Sequence, residues 1–222
     1  MKYGLIGASG RLGKEVISLF EENNHKLVLA YDLDGEWKND KPQLIIDCSL
    51  PEVFEKSIEY ACELNIPFII ATTGLSKQNI SAMKKYSEQF PIVQSYNFSI
   101  GIQVLLKLAD TAKNNLTGWD IEISETHHRF KKDKPSGTAK MIEKIFKDEN
   151  YNTTSKRLGN VPGDHAVSFG GLGELVTISH RALTRRAFAE GILKSTDFIL
   201  KKNSGFYSFS DVVFAVQKTE HG

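Results

Sequence analysis

Apolar and polar positions along the chain follow two periods in turn. Residues 2–7 make a short β-type run that stops at Gly7, and 12–22 place Leu12, Val16, Leu19 and Phe20 at helical spacing. The alternation continues with predicted strands at 27–31, 43–47, 67–71 and 91–95 and helices at 51–64 and 77–88. Strands and helices in this order predict a parallel sheet joined by right-handed crossovers. Past residue 98 the character changes. Residues 100–113 read as one long apolar helix, and 119–126 set Ile121 and Ile123 against Glu122 and Ser124, as a half-exposed strand would. A helix at 137–147 follows a Pro-Ser-Gly turn, and strands at 166–169 and 174–182, a helix at 186–200 and a closing strand at 210–216 complete the pattern.

The junction of the first strand and helix carries GASGRLG, with Gly7, Gly10 and Gly13 three residues apart. Glycines there serve a tight turn, close backbone approach to a pyrophosphate and close packing of helix on strand. Phosphates would rest on the unpaired N–H groups of the helix start, beside Ser9 and Leu12, with Arg11 adding a charge-assisted contact. A glycine triplet alone is equally compatible with a plain loop; the flanking strand and helix favour a dinucleotide cradle. Asp32 strengthens this, because it ends the second strand about 20 residues on, where a carboxylate accepts hydrogen bonds from a ribose diol. A carboxylate repels a 2′-phosphate and the next residue, Leu33, is uncharged, so NADH is expected to serve at least as well as NADPH unless Lys38 or Lys41 neutralises the phosphate. The expected fold is therefore α/β. A Rossmann-type parallel-sheet domain, 1–98 plus 186–222, would carry an inserted α+β domain built on an open mixed sheet, 99–185.

Charge narrows the partners. Lys and Arg number 28 against 27 Asp and Glu in 222 residues, and a net charge of +1 gives no pull toward nucleic acid or an anionic membrane. The longest stretch free of formal charge, 89–106, is too polar to span a bilayer, and the start lacks the regions of a signal peptide, so a cytoplasmic protein is expected. Two cysteines without CxxC spacing, Cys48 and Cys62, exclude a disulfide scaffold or structural zinc as the organising principle, and Cys48 reads as a small buried side chain, with a place lining the cofactor groove as the alternative.

Against that neutral background, 127–134 gathers Arg129, Lys131, Lys132 and Lys134 with His127 and His128 against one acid, Asp133. Such a patch suits an anion. Pro135-Ser136-Gly137-Thr138 then begins a helix, and its hydroxyls and N–H groups make a second anion cradle, fit for a substrate carboxylate. A solvated loop is the plain alternative. Nucleic acid fits poorly because Phe130 is the one aromatic available for stacking, and adjacent histidines point apart on a strand, which disfavours a metal. His165 and His180 read as structural residues of the second domain, and His25 and His221 as surface residues.

From end to end the chain resembles the 4-hydroxy-tetrahydrodipicolinate (dihydrodipicolinate) reductase family. The shared segments are GASGRLG at 7–13, DCSLPE at 47–52, ATTG at 71–74, NFSIG at 97–101, ETHHRFKKDKPSGTA at 125–139 and TRRAFAEG at 184–191. The resemblance implies a reductase of diaminopimelate and lysine synthesis that moves hydride from NADH or NADPH to a cyclic dicarboxylate, without a metal. It casts His127 as the proposed general acid, His128 as a carboxylate contact, and Lys131 as the lysine that binds the substrate and is the other candidate acid, the acid role being undivided between His127 and Lys131. Ser136, Gly137 and Thr138 match the loop that holds a substrate carboxylate. Ala71, Thr72, Thr73 and Gly74 match the segment beside the nicotinamide, with Asn97, Phe98 and Arg185 near the cofactor at the interdomain hinges. It further implies closure of the two domains about the reactants and a homotetramer formed through the second-domain sheet. Three departures stand out: Phe130 where the family often has histidine, Ala71 where glycine is common, and about 14 residues between Asp32 and Asp47 where many members have a longer excursion. An aspartate- or homoserine-type dehydrogenase and a cofactor-sensing module are the alternatives. The cationic cluster argues against the first, the pair His127 and Lys131 against the second.

Overall fold

The structure is a computed structural model that describes residues 1–32 and 35–215; Leu33, Val216 at the end of the expected closing strand, and His221 lie outside them. The first stretch runs β1 (Lys2–Ile6), α1 (Arg11–Glu22), β2 (Lys26–Asp32), β3 (Gly35–Lys38), β4 (Ile45–Asp47), a 3-10 turn at Pro51–Val53, α2 (Phe54–Leu64), β5 (Phe68–Ile70), α3 (Lys77–Tyr86) and β6 (Pro91–Gln94). Then come α4 (Ile100–Asn115), β7 (Asp120–His127), α5 (Gly137–Glu143), β8 (Tyr151–Arg157), β9 (Asp164–Gly170) and β10 (Leu175–Arg181). The chain closes with α6 (Arg186–Ile199), β11 (Gly205–Ser208) and α7 (Phe209–Val213). Main-chain contacts divide it into two units, Met1–Phe98 with the chain from Phe188 on, and Ser99–Ala187.

The first unit is a seven-stranded sheet in the order β11-β6-β5-β4-β1-β2-β3, parallel except for β3, which runs antiparallel to β2. Both faces are covered, so the central strands are apolar throughout: one core gathers Leu5, Val16, Phe20, Phe98 and Ile192, the other Ile6, Phe54, Phe68 and Ile92. β3 occupies the shortened stretch between Asp32 and Asp47. The sequence GEWK gave no apolar row to announce it, and all four residues are exposed on the sheet edge.

The expected closing strand at 210–216 is corrected. Strand pairing ends at Ser208, whose hydroxyl accepts from the Asp211 N–H at 3.2 Å while the Asp211 carboxylate accepts from the Ser208 N–H at 2.7 Å. That reciprocal cap starts α7, and Phe209 and Val212, three residues apart, turn one helical face into the core. The strand itself lies earlier, at Gly205–Ser208, beside β6.

The second unit is an open mixed sheet in the order β10-β9-β7-β8. Leu105 and Ala109 of α4 and Ile142 of α5, with Phe146, pack on Ile121, Ile123, Val167 and Phe169, so one sheet face is buried. β8 was not anticipated, because YNTTSKR has no apolar alternation; it is a polar edge strand parallel to β7. Among the described residues no helix is long and apolar enough to cross a membrane.

Candidate active site

In the first unit the glycine loop is shaped by close approach. Gly7 has φ +83° and donates its N–H to the Tyr31 carbonyl at 2.9 Å; a Cβ there would meet the Cys48 carbonyl oxygen at 2.8 Å. A Cβ on Gly13 would sit 2.1 Å from the Gly7 carbonyl oxygen, so only glycine lets α1 pack this tightly on the loop. Beside it lies a cavity of about 370 Å³ lined by Gly7, Ser9, Gly10, Asp32, Cys48 and Leu50, among others. Cys48 thus borders the cavity, partly exposed, the alternative to a small side chain sealed in the core. The Asp32 carboxylate accepts from the Ser9 N–H and from Ser9 Oγ, both at 2.9 Å, which fixes it on the cavity wall. A loop with glycine at its three closest approaches, at a helix start with an anchored acid beside it, fits a dinucleotide whose ribose is a diol. Arg11 and Leu12 open α1.

The ATTG segment hangs on Asp47. This fully buried carboxylate accepts from the Ser49 N–H at 2.8 Å and from Thr72 Oγ1 at 2.8 Å, and its own carbonyl accepts from the Ala71 N–H at 2.8 Å. Burial pushes the Asp47 pKa up against the pull of those donors. The Thr72 side chain is therefore committed to Asp47, while Thr73 is exposed and Gly74 turns the chain with φ +80°. Phe98 is 2 % exposed and its ring packs on Phe209, so its side chain is committed to the core; Asn97 is buried beside it, its N–H donated to Ser95 Oγ at 3.1 Å. Arg185 lies in the segment between β10 and α6.

In the second unit the core-facing row of β7 reads Ile121, Ile123, Glu125, His127, and that of β9, from the same end, Phe169, Val167, His165. Alternation carries both rows from an apolar core into an ionisable one at the end of the sheet where α4 and α5 begin. Glu125 is 1 % exposed. It is hydrogen-bonded to His127 Nδ1 and accepts from Arg157 Nη1 at 2.9 and 3.0 Å. Burial raises the Glu125 pKa, but hydrogen bonds from Ser155, His127 and Arg157 outweigh it and hold the carboxylate below its ordinary range. Burial lowers the His127 pKa, Glu125 opposes, and Lys131 and Arg157 add to the lowering.

The loop after β7 returns to this cluster. Arg157 Nε donates to the Lys131 carbonyl at 3.1 Å and Nη2 to the Asp133 carbonyl, and Lys131 Nζ contacts the Asp133 carboxylate at 2.8 Å. Burial raises the Asp133 pKa, but Lys131 first and nearby main-chain N–H groups outweigh it and hold the carboxylate below its ordinary range. Ser136 caps α5 through the Ala139 N–H at 3.1 Å and lies 3.3 Å from His165 Nε2. Ser136 and Thr138 are buried, His128 is half-buried and Phe130 projects into solvent. His127, Lys131, Ser136, Gly137 and Thr138 thus belong to one cluster. Sequence reasoning missed Glu125, Arg157 and the place of His165. The signal for Glu125 was present, since an acid falls on the core side of an alternating strand.

His165 is 3 % exposed, its ring centroid 5.1 Å from that of His127, and burial first, then His127, lowers its pKa from 6.5 to about 3. The folded state keeps it neutral while the unfolded chain protonates it, so its stabilising contribution is complete above pH 6.5 and is lost as pH falls toward 3. Chemical denaturation at pH 5 is expected to give an unfolding free energy about 2 kcal/mol below that at pH 7, and His165→Gln should flatten most of the difference. Equal values for the wild type at the two pH values would contradict a buried neutral His165. Among the described residues no group of His, Cys, Asp and Glu could hold a metal ion.

Known proteins align with this architecture throughout. Residues 1–98 match the family model described as dihydrodipicolinate reductase, N-terminus, and residues 101–213 its C-terminus counterpart. A 4-hydroxy-tetrahydrodipicolinate reductase of Thermosipho africanus is 43% identical over 213 residues, covering 96% of this chain and 98% of the relative. One from Rickettsia rickettsii is 35% identical over 237 residues, covering 96% and 98%. The structure of a dipicolinate-bound dihydrodipicolinate reductase from Paenisporosarcina sp. TG-14 superposes with a TM-score of 0.77 at 21% identity, over 94% of this chain and 97% of that one.

Proposed function

Because the chain belongs to the dihydrodipicolinate reductase family, and so is an NAD(P)H-dependent 4-hydroxy-tetrahydrodipicolinate reductase of diaminopimelate and lysine synthesis, we propose how its own residues divide that reaction. The first unit holds the dinucleotide through Gly7, Ser9, Gly10, Arg11, Leu12 and Gly13, with Asp32 on the adenosine ribose and Ala71–Gly74, Asn97 and Phe98 toward the nicotinamide; Arg185, of the second unit, is assigned to the cofactor as well. The bound nicotinamide supplies the hydride. The second unit holds the dicarboxylate through His128, Lys131, Ser136, Gly137 and Thr138, and His127 and Lys131 provide the proton that the reduced ring must take up.

One observation carries the substrate half: Lys131 Nζ already holds a carboxylate at 2.8 Å, that of Asp133, a few residues before the start of α5. An ammonium that already takes a carboxylate beside a helix start is the kind of partner a substrate acid group needs. The open face of the second-unit sheet, which presents Ser124, Thr126, Thr177 and Ser179, is the surface through which four copies assemble in a cytoplasmic homotetramer with no nucleic-acid partner.

The test is absorbance at the nicotinamide band with substrate generated in situ. Turnover should appear with either coenzyme, and kcat/KM for NADH should equal or exceed that for NADPH, because the Ser9-anchored carboxylate of Asp32 would face a 2′-phosphate. Asp32→Ser should shift the ratio toward NADPH by about tenfold, one charge contact of roughly 1.4 kcal/mol. A wild-type enzyme that strongly prefers NADPH would refute the assignment of Asp32.

A further inference from the structure

We propose that Glu125 is a positioning residue for proton delivery: its ionised carboxylate, clamped by Arg157, holds the Nδ1–H of His127 so that the proton passed to the substrate leaves from Nε2. The inference deepens the function proposed above and rests on His127 as the proton donor. Strand geometry places the pair. Residues two apart on β7 share a face, and both point into the same buried end of the sheet. Glu125 has ionic and hydrogen-bonded partners on two strands, His127 on its own and Arg157 across on β8, where Arg157 is the register partner of His127.

The opposite edge of the imidazole faces Gly163. A Cβ at that position would come 3.0 Å from Nε2, so a side chain there would crowd the edge that glycine leaves clear. The groups facing His127 are Glu125 on its own strand, Arg157 on β8, His165 on β9 and Lys131 on the following loop. Glu125 is the one acid of the four. It is therefore the one group that favours the imidazolium over neutral imidazole. An imidazolium gives up Nε2–H to the reduced substrate, becomes neutral imidazole that keeps Nδ1–H on Glu125, and regains its proton from solvent, so the proton count closes over a turnover. Arg157 also donates to the Lys131 and Asp133 carbonyls, so the same guanidinium ties the carboxylate behind His127 to the loop that carries Lys131.

Two measurements decide the proposal. Long-range ¹⁵N–¹H spectra of the wild-type ring, taken above its pKa, should show His127 as the Nδ1–H tautomer, with Nε2–H growing in Glu125→Gln. In kinetics, Glu125→Gln should lose about 10- to 100-fold in kcat with substrate KM nearly unchanged, and the alkaline limb of the kcat profile should move to lower pH, because the charge that favours imidazolium is gone. Glu125→Asp should recover part of both. The double variant with His127→Asn should be no slower than His127→Asn alone. The proposal is overturned by a wild-type ring in the Nε2–H form, or by a Glu125→Gln enzyme in which tautomer and pH limb are unchanged, even if it is slower or less stable. His127→Asn with wild-type kcat would instead overturn the donor role of His127 itself, which separates the two failures.

Discussion

Lys131→Ala is expected to lower kcat by about 100- to 1,000-fold, the range associated with removing a positioned acid or charge contact at a reacting centre. The ammonium lies 2.8 Å from the Asp133 carboxylate and its main-chain carbonyl is tied down by Arg157, so the side chain is held at the cluster rather than swinging in solvent. Alanine removes the charge that would stabilise an anionic ring acid and one of two candidate proton donors together. Thr138→Ala should behave differently. Thr138 is buried at the start of α5, away from any acid–base role, and its loss should raise KM several-fold while kcat holds within about twofold. Steady-state kinetics on both variants checks the contrast. Wild-type kcat in Lys131→Ala would remove that residue from the mechanism.

The second large effect is on stability. Gly191→Ala in α6 should destabilise the protein by about 3 kcal/mol or more, lowering Tm by roughly 6–12 °C. In an exposed helix the same exchange would stabilise by up to about 1 kcal/mol. Here a Cβ would stand 1.7 Å from the Phe98 carbonyl oxygen and 2.7 Å from Phe209 Cζ, two residues whose rings pack on each other at 4.9 Å. Backbone cannot retreat as a flexible side chain can, so α6 would have to back away from the sheet core. Calorimetry decides, and a Tm equal to or above that of the wild type would show that the helix is free to shift.

Gly191 also shows what sequence could and could not reveal. TRRAFAEG was legible as a family segment, but its final glycine had no visible purpose until the helix was seen lying on residue 98. The α/β alternation of residues 1–95 was legible because central strands are buried on both faces and announce themselves as apolar runs. Strands β3 and β8 were hidden for the opposite reason: edge positions are polar, so GEWK and YNTTSKR carry no periodic signal. The error at 210–216 came from an apolar run too short to separate strand from helix, and the Ser208–Asp211 cap, which was readable, outweighed it. At the site, the cationic loop and the Ser-Gly-Thr turn stood out by charge and composition. Glu125 did not, although Ile121 and Ile123 at alternate positions before it already put it on the core side of the strand. Arg157 could not be placed without β8.

The contact between Lys131 and Asp133 bears on which ligands gain from entering. At rest the lysine is already neutralised from within the chain. An incoming molecule with one acidic arm exchanges one such pairing for another and comes out close to even. With Lys131 in its proposed role, a molecule with two arms would make that same swap and keep its second attachment, which would set it apart from monoacids by a displacement imposed on every visitor alike.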